Sequence, residues 1–220
     1  MSTRPDLPPG LYALCDDGLS PERPLLEKGR ALLQGGARAL QLRAKRTPLR
    51  ELATLARALA RECEAHGALL LVNDRVDVAL VSGAHGVHVG DEDVSPADAR
   101  AVLGPGRLVG VTARGAEGIR AAQRAGADYV GLGPVFATST KRVDAPPLGV
   151  ERLAELVRSS PLPVVAIAGI GLGNIAEVAA AGAHAAAVGS DLLLASDIAE
   201  RARLLSAEFH RGWSNLRGSR

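Results

Sequence analysis

Aromatic side chains are almost missing from this chain: 2% of its 220 residues are Phe, Trp or Tyr, although 47% are apolar. A core without large rings has to be built from Ala, Leu and Val, which suits short helices packed closely on strands. Cysteine is nearly as scarce. Cys15 and Cys63 match no metal-ligand spacing and make no disulfide framework, which points to a reducing, cytoplasmic compartment. No apolar run is long enough to span a bilayer, and the opening MSTRPDLPPG lacks the apolar segment of a secretion signal. An excess of one charge is also absent. The 26 Lys and Arg against 24 Asp and Glu are interspersed and leave +2, which implies no nucleic-acid or membrane partner. The length allows one substantial core, and the chain reads as a single domain over 1–220 with short polar tails at about 1–9 and 208–220.

Eight short apolar runs recur along the chain: LYALC at 11–15, ALQLR at 39–43, ALLLVN at 68–73, GVHVG at 86–90, RLVGVT at 107–112, DYVGLGPV at 128–135, PVVAIAGI at 163–170 and AHAAAVGS at 183–190. Helical spacing fills the gaps, most clearly in PLRELATLARALARECEAHG, where Leu49, Leu52, Leu55, Ala56 and Leu59 form one stripe. Strands that alternate with helices pair in parallel. Eight such units predict an α/β fold, a single (β/α)8 barrel, with a doubly wound open sheet as the competing architecture. The repeats Gly36-Ala37, Gly126-Ala127 and Gly182-Ala183 favour the barrel, each closing a helix just before an inner strand.

Within ALQLRAK, Gln41, Arg43 and Lys45 share one strand face by their period of two. Polar groups suit a parallel barrel mainly at the C-terminal strand ends, where the mouth opens. Other strand ends carry matching chemistry. Asn73 and Asp74 close the third, Asp91, Glu92 and Asp93 follow the fourth, and Thr112 ends the fifth. Thr138, Ser139, Thr140 and Lys141 follow the sixth, and Gly-containing turns follow the seventh and eighth. Arg43, Lys45 and Lys141 can neutralise phosphate oxygens. Asp74 and Asp93 are hard oxygen ligands of the kind Mg²⁺ takes. The late Gly turns suit a phosphate held by backbone N–H groups at a helix start. Two anion sites are therefore expected, a metal-assisted one near strands two to four and a monophosphate one near strands seven and eight.

Each piece has a plainer reading. Asp74 can be a turn or cap residue, DED a solvated loop, and Arg43 and Lys45 members of rim ion pairs. His88 reads as a satisfied core histidine and Cys15 as a small buried hydrophobe. His66, His85 and His184 carry no evident chemistry.

Taken in order, QLRAK, NDRVDVAL, GVHVGDED, GADYVGLGPVFATSTK and VVAIAGI resemble the thiamine phosphate synthase family, from about residue 11 to about 195. The resemblance implies a transferase that joins 4-amino-5-hydroxymethyl-2-methylpyrimidine diphosphate to a thiazole phosphate, releasing pyrophosphate. It implies that Gln41, Leu42, Arg43, Ala44, Lys45, Asn73 and Lys141 hold the pyrimidine diphosphate, with Arg43, Lys45 and Lys141 acting in catalysis. Asp74 and Asp93 would bind Mg²⁺, and Thr112 would touch the diphosphate or the pyrimidine. Thr138, Ser139, Thr140, Gly169, Gly189 and Ser190 would hold the thiazole phosphate. The sequence departs from the family pattern at Ala44, where an acidic residue is usual, and at Thr112, where a Ser is usual. Ala168 replaces a Gly, and Asp191 stands where a small or apolar residue is expected, beside the second anion site. A thiazole tautomerase-like isomerase on the same barrel, a non-catalytic phosphate-ligand sensor and a sugar-phosphate isomerase barrel are the alternatives. The sequence leaves a homo-oligomer open.

Overall fold

Alternation of side chains across eight parallel strands sets the architecture in the computed structural model, which describes residues 4–138 and 146–218. The strands are β1 Gly10–Asp16, β2 Ala39–Arg43, β3 Leu69–Asn73, β4 Gly86–Val89, β5 Leu108–Ala113, β6 Tyr129–Leu132, β7 Val164–Ala166 and β8 Ala185–Val188. Each pairs in parallel with the next, and β1 pairs with β8, so the sheet closes. Closure excludes the open doubly wound sheet. The helices α1 Leu25–Gln34, α2 Leu49–Ala65, α3 Val76–Ser82, α4 Pro96–Leu103, α5 Gly115–Arg124, α6 Gly149–Ser159, α7 Ile175–Ala180, α8 Ser190–Leu193 and α9 Ile198–Gly218 alternate with the strands and end the chain. None among the described residues is long and apolar enough to cross a membrane.

The strand period divides the core into two layers. Ala13, Cys15, Leu40, Leu42, Val72, Val87, Val109 and Val130 turn outward and pack among helix residues such as Leu59, Ala99 and Ile119. Tyr12, Leu71, Leu108, Tyr129 and Val165 turn inward with Ala39, Ala185 and Ala187. Both tyrosines of the sequence thus lie inside the barrel, where the small neighbours make room for them. Gly110 is the tightest case. A Cβ there would stand 2.0 Å from Tyr129 Cζ, so the ring occupies the space a side chain on β5 would need.

The three Gly-Ala closures form as expected. Gly36, Gly126 and Gly182 take φ of 90°, 78° and 91°, the left-handed region where glycine has no Cβ to clash. The following amides of Ala37, Ala127 and Ala183 bond back to Leu32, Ala122 and Val178 carbonyls. The α2 stripe is narrower than its spacing suggests. Leu52, Ala56 and Leu59 are buried, but Leu49 is 48% exposed because it opens the helix beyond the barrel wall.

Neither terminal stretch is merely a polar tail. Leu7 is buried in the interior layer, and its carbonyl lies 2.7 Å from His184 Nε2. Residues 208–218 continue α9, where Phe209 is buried and stacks on Trp213. Gly212 lets that helix sit against α7, since a Cβ there would meet Ala176 O at 2.1 Å.

His85 ties β3 to β4 by a neutral ring nitrogen. Leu70 N donates to its Nδ1 at 3.0 Å, and His85 N donates to Leu70 O at 2.9 Å. Burial holds its pKa below the ordinary 6.5, with Arg107 adding to this and Glu64 opposing it. The unfolded chain therefore binds the proton first as pH falls. His85's contribution is complete above about 6.5 and is lost as pH drops from there toward the folded value. Urea unfolding of wild type and His85→Gln at pH 7.5 and 5.5 should show a smaller pH-dependent loss in the variant. Equal losses would remove His85 as a source of acid sensitivity.

Candidate active site

The C-terminal ends of the strands open onto a cavity of about 520 Å³. It draws Gln41, Arg43 and Lys45 from β2 and the segment after it, Asn73 and Asp74 from the end of β3, and Asp93 from the loop after β4. Thr112 of β5, Thr138, Gly169 after β7, and Gly189 and Ser190 after β8 join them. The two predicted anion sites thus face one space. Leu42 turns away into the outer core, and Ala44 packs against that core as well, since the period that brings Gln41 and Arg43 inward sends their neighbours out. Ser139, Thr140 and Lys141 lie outside the described residues.

Both cations of the β2 face are ion-paired inside the cavity. Arg43 Nη1 bonds Asp16 Oδ2 at 2.5 Å, and Lys45 Nζ stands 3.0 Å from Asp74 Oδ2. The ion-pair and ligand readings are therefore compatible, because these pairs line the space a ligand would fill. Asp16 is buried at the end of β1, and its Oδ1 accepts from Gly18 N at 2.6 Å. Beneath it, the ammonium of buried Lys28 bonds the carbonyls of Asp16 and Leu19 at 3.1 and 2.5 Å, which fixes the loop after β1.

Asp74 is neither a solvated turn residue nor a helix cap; Arg75 takes the cap position of α3. Its φ of 62° is left-handed, a conformation Asp tolerates better than most residues, and it turns the carboxyl toward Lys45 and Asp93. Burial holds that carboxyl above the ordinary range, Lys45 opposes the shift, and the hydrogen-bonded Asp93 carboxyl adds to it. Asp93 is exposed, and one oxygen accepts from Gly90 N at 2.8 Å, so part of its role is to shape the loop. Among the described residues no cluster of three or more His, Cys, Asp or Glu forms a closed metal cage. Two adjoining carboxylates, one held against its charged form, fit an ion such as Mg²⁺ that keeps water and takes substrate phosphate oxygens. Of the other acids in that loop, Asp91 faces Arg114 at 3.5 Å and Glu92 lines the cavity.

On the opposite wall, the β7 loop is clamped from two sides. Asn174 Oδ1 accepts from Gly171 N and its Nδ2 donates to Gly169 O, both at 2.9 Å. Asp191 Oδ2 accepts from Leu172 N at 3.2 Å, and Arg201 Nη1 lies 3.3 Å from its other oxygen. Asp191 therefore points away from the cavity, neutralised by Arg201, and holds the loop that precedes α7. A Cβ at Gly169, where φ is 70°, would stand 2.6 Å from Ala137 O, so the β7 turn packs directly on the β6 loop.

Ala168 precedes it with φ of 72°, a left-handed position that costs a side-chain-bearing residue about 1 kcal/mol or more. Ala168→Gly should therefore raise unfolding stability by roughly 0.5–1 kcal/mol, after the larger chain entropy of glycine is offset. Equilibrium unfolding checks this, and a loss of stability would mean that the alanine methyl packs usefully.

The floor is polar in a way the sequence did not reveal. Gln41 Nε2 donates to Tyr12 Oη at 2.9 Å, and Tyr12 and Tyr129 share a hydroxyl–hydroxyl bond of 2.9 Å. His88 Nδ1 lies 3.2 Å from Tyr129 Oη and its Nε2 3.2 Å from Thr112 Oγ1. His88 is thus satisfied, as expected, but inside the site rather than in the outer core. Tyr12, Tyr129, Asp16 and Arg114 line the cavity and were not foreseen. Asp16 was legible, since it continues the inward period of Tyr12 and Leu14. Burial pushes the Cys15 and Cys63 thiols up to about 12, and neither lines the cavity, so neither is a nucleophile here.

A family model described as thiamine monophosphate synthase matches residues 11–192. A thiamine-phosphate synthase of Myxococcus xanthus is 63% identical over 210 residues, covering 96% of this chain and 96% of that protein. Another, of Syntrophomonas wolfei, is 42% identical and covers 91% of this chain and 96% of the relative. The solved structure of a thiamine phosphate pyrophosphorylase from Pyrococcus furiosus superposes with a TM-score of 0.85 at 36% identity, over 92% of this chain and 96% of that one.

Proposed function

Since this chain belongs to the thiamine monophosphate synthase family, we propose that it joins an aminopyrimidine-methyl diphosphate to a thiazole phosphate, giving thiamine phosphate and pyrophosphate. The observation that carries this reading is that one cavity holds two cations, Arg43 on Asp16 and Lys45 on Asp74, together with the two adjoining carboxylates Asp74 and Asp93. That combination suits a metal–diphosphate complex. A barrel that handled only a monophosphate would have no use for it.

The chemistry that this site suits is dissociative. The bond between the pyrimidine methylene carbon and the diphosphate oxygen breaks with its electron pair going to pyrophosphate. The ring amino group stabilises the cation left behind, and the thiazole nitrogen then supplies the electron pair of the new C–N bond. No side chain has to act as nucleophile or base, in keeping with thiols held high by burial and a histidine engaged in hydrogen bonds. Arg43 and Lys45 would meet the charge that builds on the departing diphosphate, exchanging their carboxylate partners for phosphate oxygens. Asp74 and Asp93 would hold Mg²⁺, which when bound supplies further charge neutralisation to the leaving group. Asn73 and Gln41 would orient the pyrimidine. Gly169, Gly189, Ser190 and Thr138 would seat the thiazole phosphate, so that the second substrate waits beside the cation and traps it before water does. Asp191, turned outward onto Leu172 N and Arg201, supports a working thiazole site, not one spoiled by a stray charge. We read the chain as one cytoplasmic domain serving these two small substrates.

Calorimetric titration with the pyrimidine diphosphate tests the carrying observation. Binding should weaken at least about tenfold when EDTA replaces Mg²⁺, because the two carboxylates then face phosphate oxygens directly. Equally tight binding with EDTA would separate this cavity from metal-assisted diphosphate recognition.

A further inference from the structure

The hydrogen-bond chain across the cavity floor has no part in the bond-breaking and bond-making steps above. Its members are Gln41, Tyr12, Tyr129, His88 and Thr112, contributed by β2, β1, β6, β4 and β5. Burial raises the Tyr12 hydroxyl to about 12 and the Tyr129 hydroxyl well above its ordinary value, so both stay protonated. Each hydroxyl then has one hydrogen to give.

The Gln41 amide, with its Nε2 toward Tyr12, sets the direction of the chain, and the hydrogens are counted from there. Gln41 gives one to Tyr12 Oη, and Tyr12 gives its own to Tyr129 Oη. Tyr129 gives its hydrogen to His88 Nδ1, which leaves the ring proton on Nε2, donated to Thr112 Oγ1. In the opposite direction Tyr129 would donate to Tyr12. With Gln41 turning its Nε2 to Tyr12, as it does here, the fully buried Tyr12 hydrogen would then have no acceptor in the chain, and the reverse direction needs the Gln41 amide turned over to present Oε1.

Resting on the function proposed above, we propose that this chain is a polarity relay: it fixes His88 as the Nε2–H tautomer, so that Thr112 offers its hydroxyl hydrogen, and Gln41 its amide oxygen, to the bound pyrimidine diphosphate. One end of the floor thus accepts and the other donates. An amino-substituted heteroaromatic diphosphate matches both ends, its amino group giving to Gln41 and a ring nitrogen or phosphate oxygen taking from Thr112. Tyr12, Tyr129 and His88 are positioning residues in this scheme. They act through Gln41 and Thr112 and need not touch the ligand.

The ring of His88 reports the direction itself. In substrate-free protein labelled with ¹⁵N-histidine, with the signal assigned by its loss in His88→Gln, long-range ¹H–¹⁵N spectra should show a neutral ring protonated on Nε2. A ring protonated on Nδ1 would overturn the relay, whatever the protein's activity. In the coupling reaction, Tyr129→Phe should lower kcat/KM for the diphosphate about tenfold, the loss of roughly one hydrogen bond. His88→Gln, whose amide can accept from Tyr129 and donate to Thr112, should stay within about threefold of wild type, while His88→Leu falls about tenfold or more. Equal losses in the Gln and Leu variants would contradict a polarity role. An Nε2–H signal in a wild-type protein that makes no product would support the hydrogen-bond direction and count against the coupling activity instead. If Tyr129→Phe fails to fold, the wild-type spectrum still decides.

Discussion

Asp93→Ala is expected to lower Mg²⁺-dependent turnover by roughly two to three orders of magnitude and to leave the barrel folded. The side chain sits on an exposed loop, where it accepts from Gly90 N, so its removal should cost about 1 kcal/mol of stability or less. Its chemical loss is larger. Without Asp93 the metal side of the cavity keeps a single partly buried carboxylate, Asp74, already paired with Lys45. Asp93→Asn separates the two roles, since its amide oxygen can still accept from Gly90 N but brings no charge. Steady-state turnover across a Mg²⁺ series should place the Asp93→Asn variant near the alanine variant. Turnover near wild type in a folded Asp93→Ala protein would take Asp93 out of the metal site.

Gly110→Ala should destabilise the fold by about 3 kcal/mol. The new methyl would stand 2.0 Å from Tyr129 Cζ and 2.3 Å from its Oη, well inside contact distance. The ring cannot simply swing aside, because it is fully buried and its hydroxyl bonds Tyr12 and neighbours His88. The strain should reach the active site through that chain, so residual folded protein should also turn over more slowly. Tyr129→Leu, which removes the clashing atoms, should make the double variant less unstable than the sum of the two single changes. Additive losses in urea unfolding would mean that β5 relaxes independently of the ring.

Much of the fold was legible because closed parallel barrels impose a simple code. Apolar runs buried on both faces mark strands, and the polar exceptions at their ends mark the mouth. Gln41, Arg43 and Lys45 could be found that way, as could Asn73, Asp74 and Thr112. The interior of the barrel was less legible. Tyr12 and Tyr129 come from strands far apart in sequence, and nothing local says that their hydroxyls meet. That contact depends on the register pairing Gly110 with Tyr129 and on the small residues opposite. The end of the chain was misread for a different reason. The polar composition of residues 208–218 hid a stripe of Ala202, Leu205 and Phe209, with Trp213 packed against the same core. Its spacing of three and four is that of a helix. The sign of Asp191's effect could not be read at all, because it depends on Arg201 and Leu172 N reaching it in space.

One cavity is expected to bind both halves and couple them. A reaction of the purified protein with the pyrimidine diphosphate, the thiazole phosphate and Mg²⁺, following thiamine phosphate and pyrophosphate together, tests it most directly. Equal amounts of the two products are expected, abolished by EDTA and restored by added Mg²⁺. Diphosphate binding without product, or product formed equally well in EDTA, would contradict it.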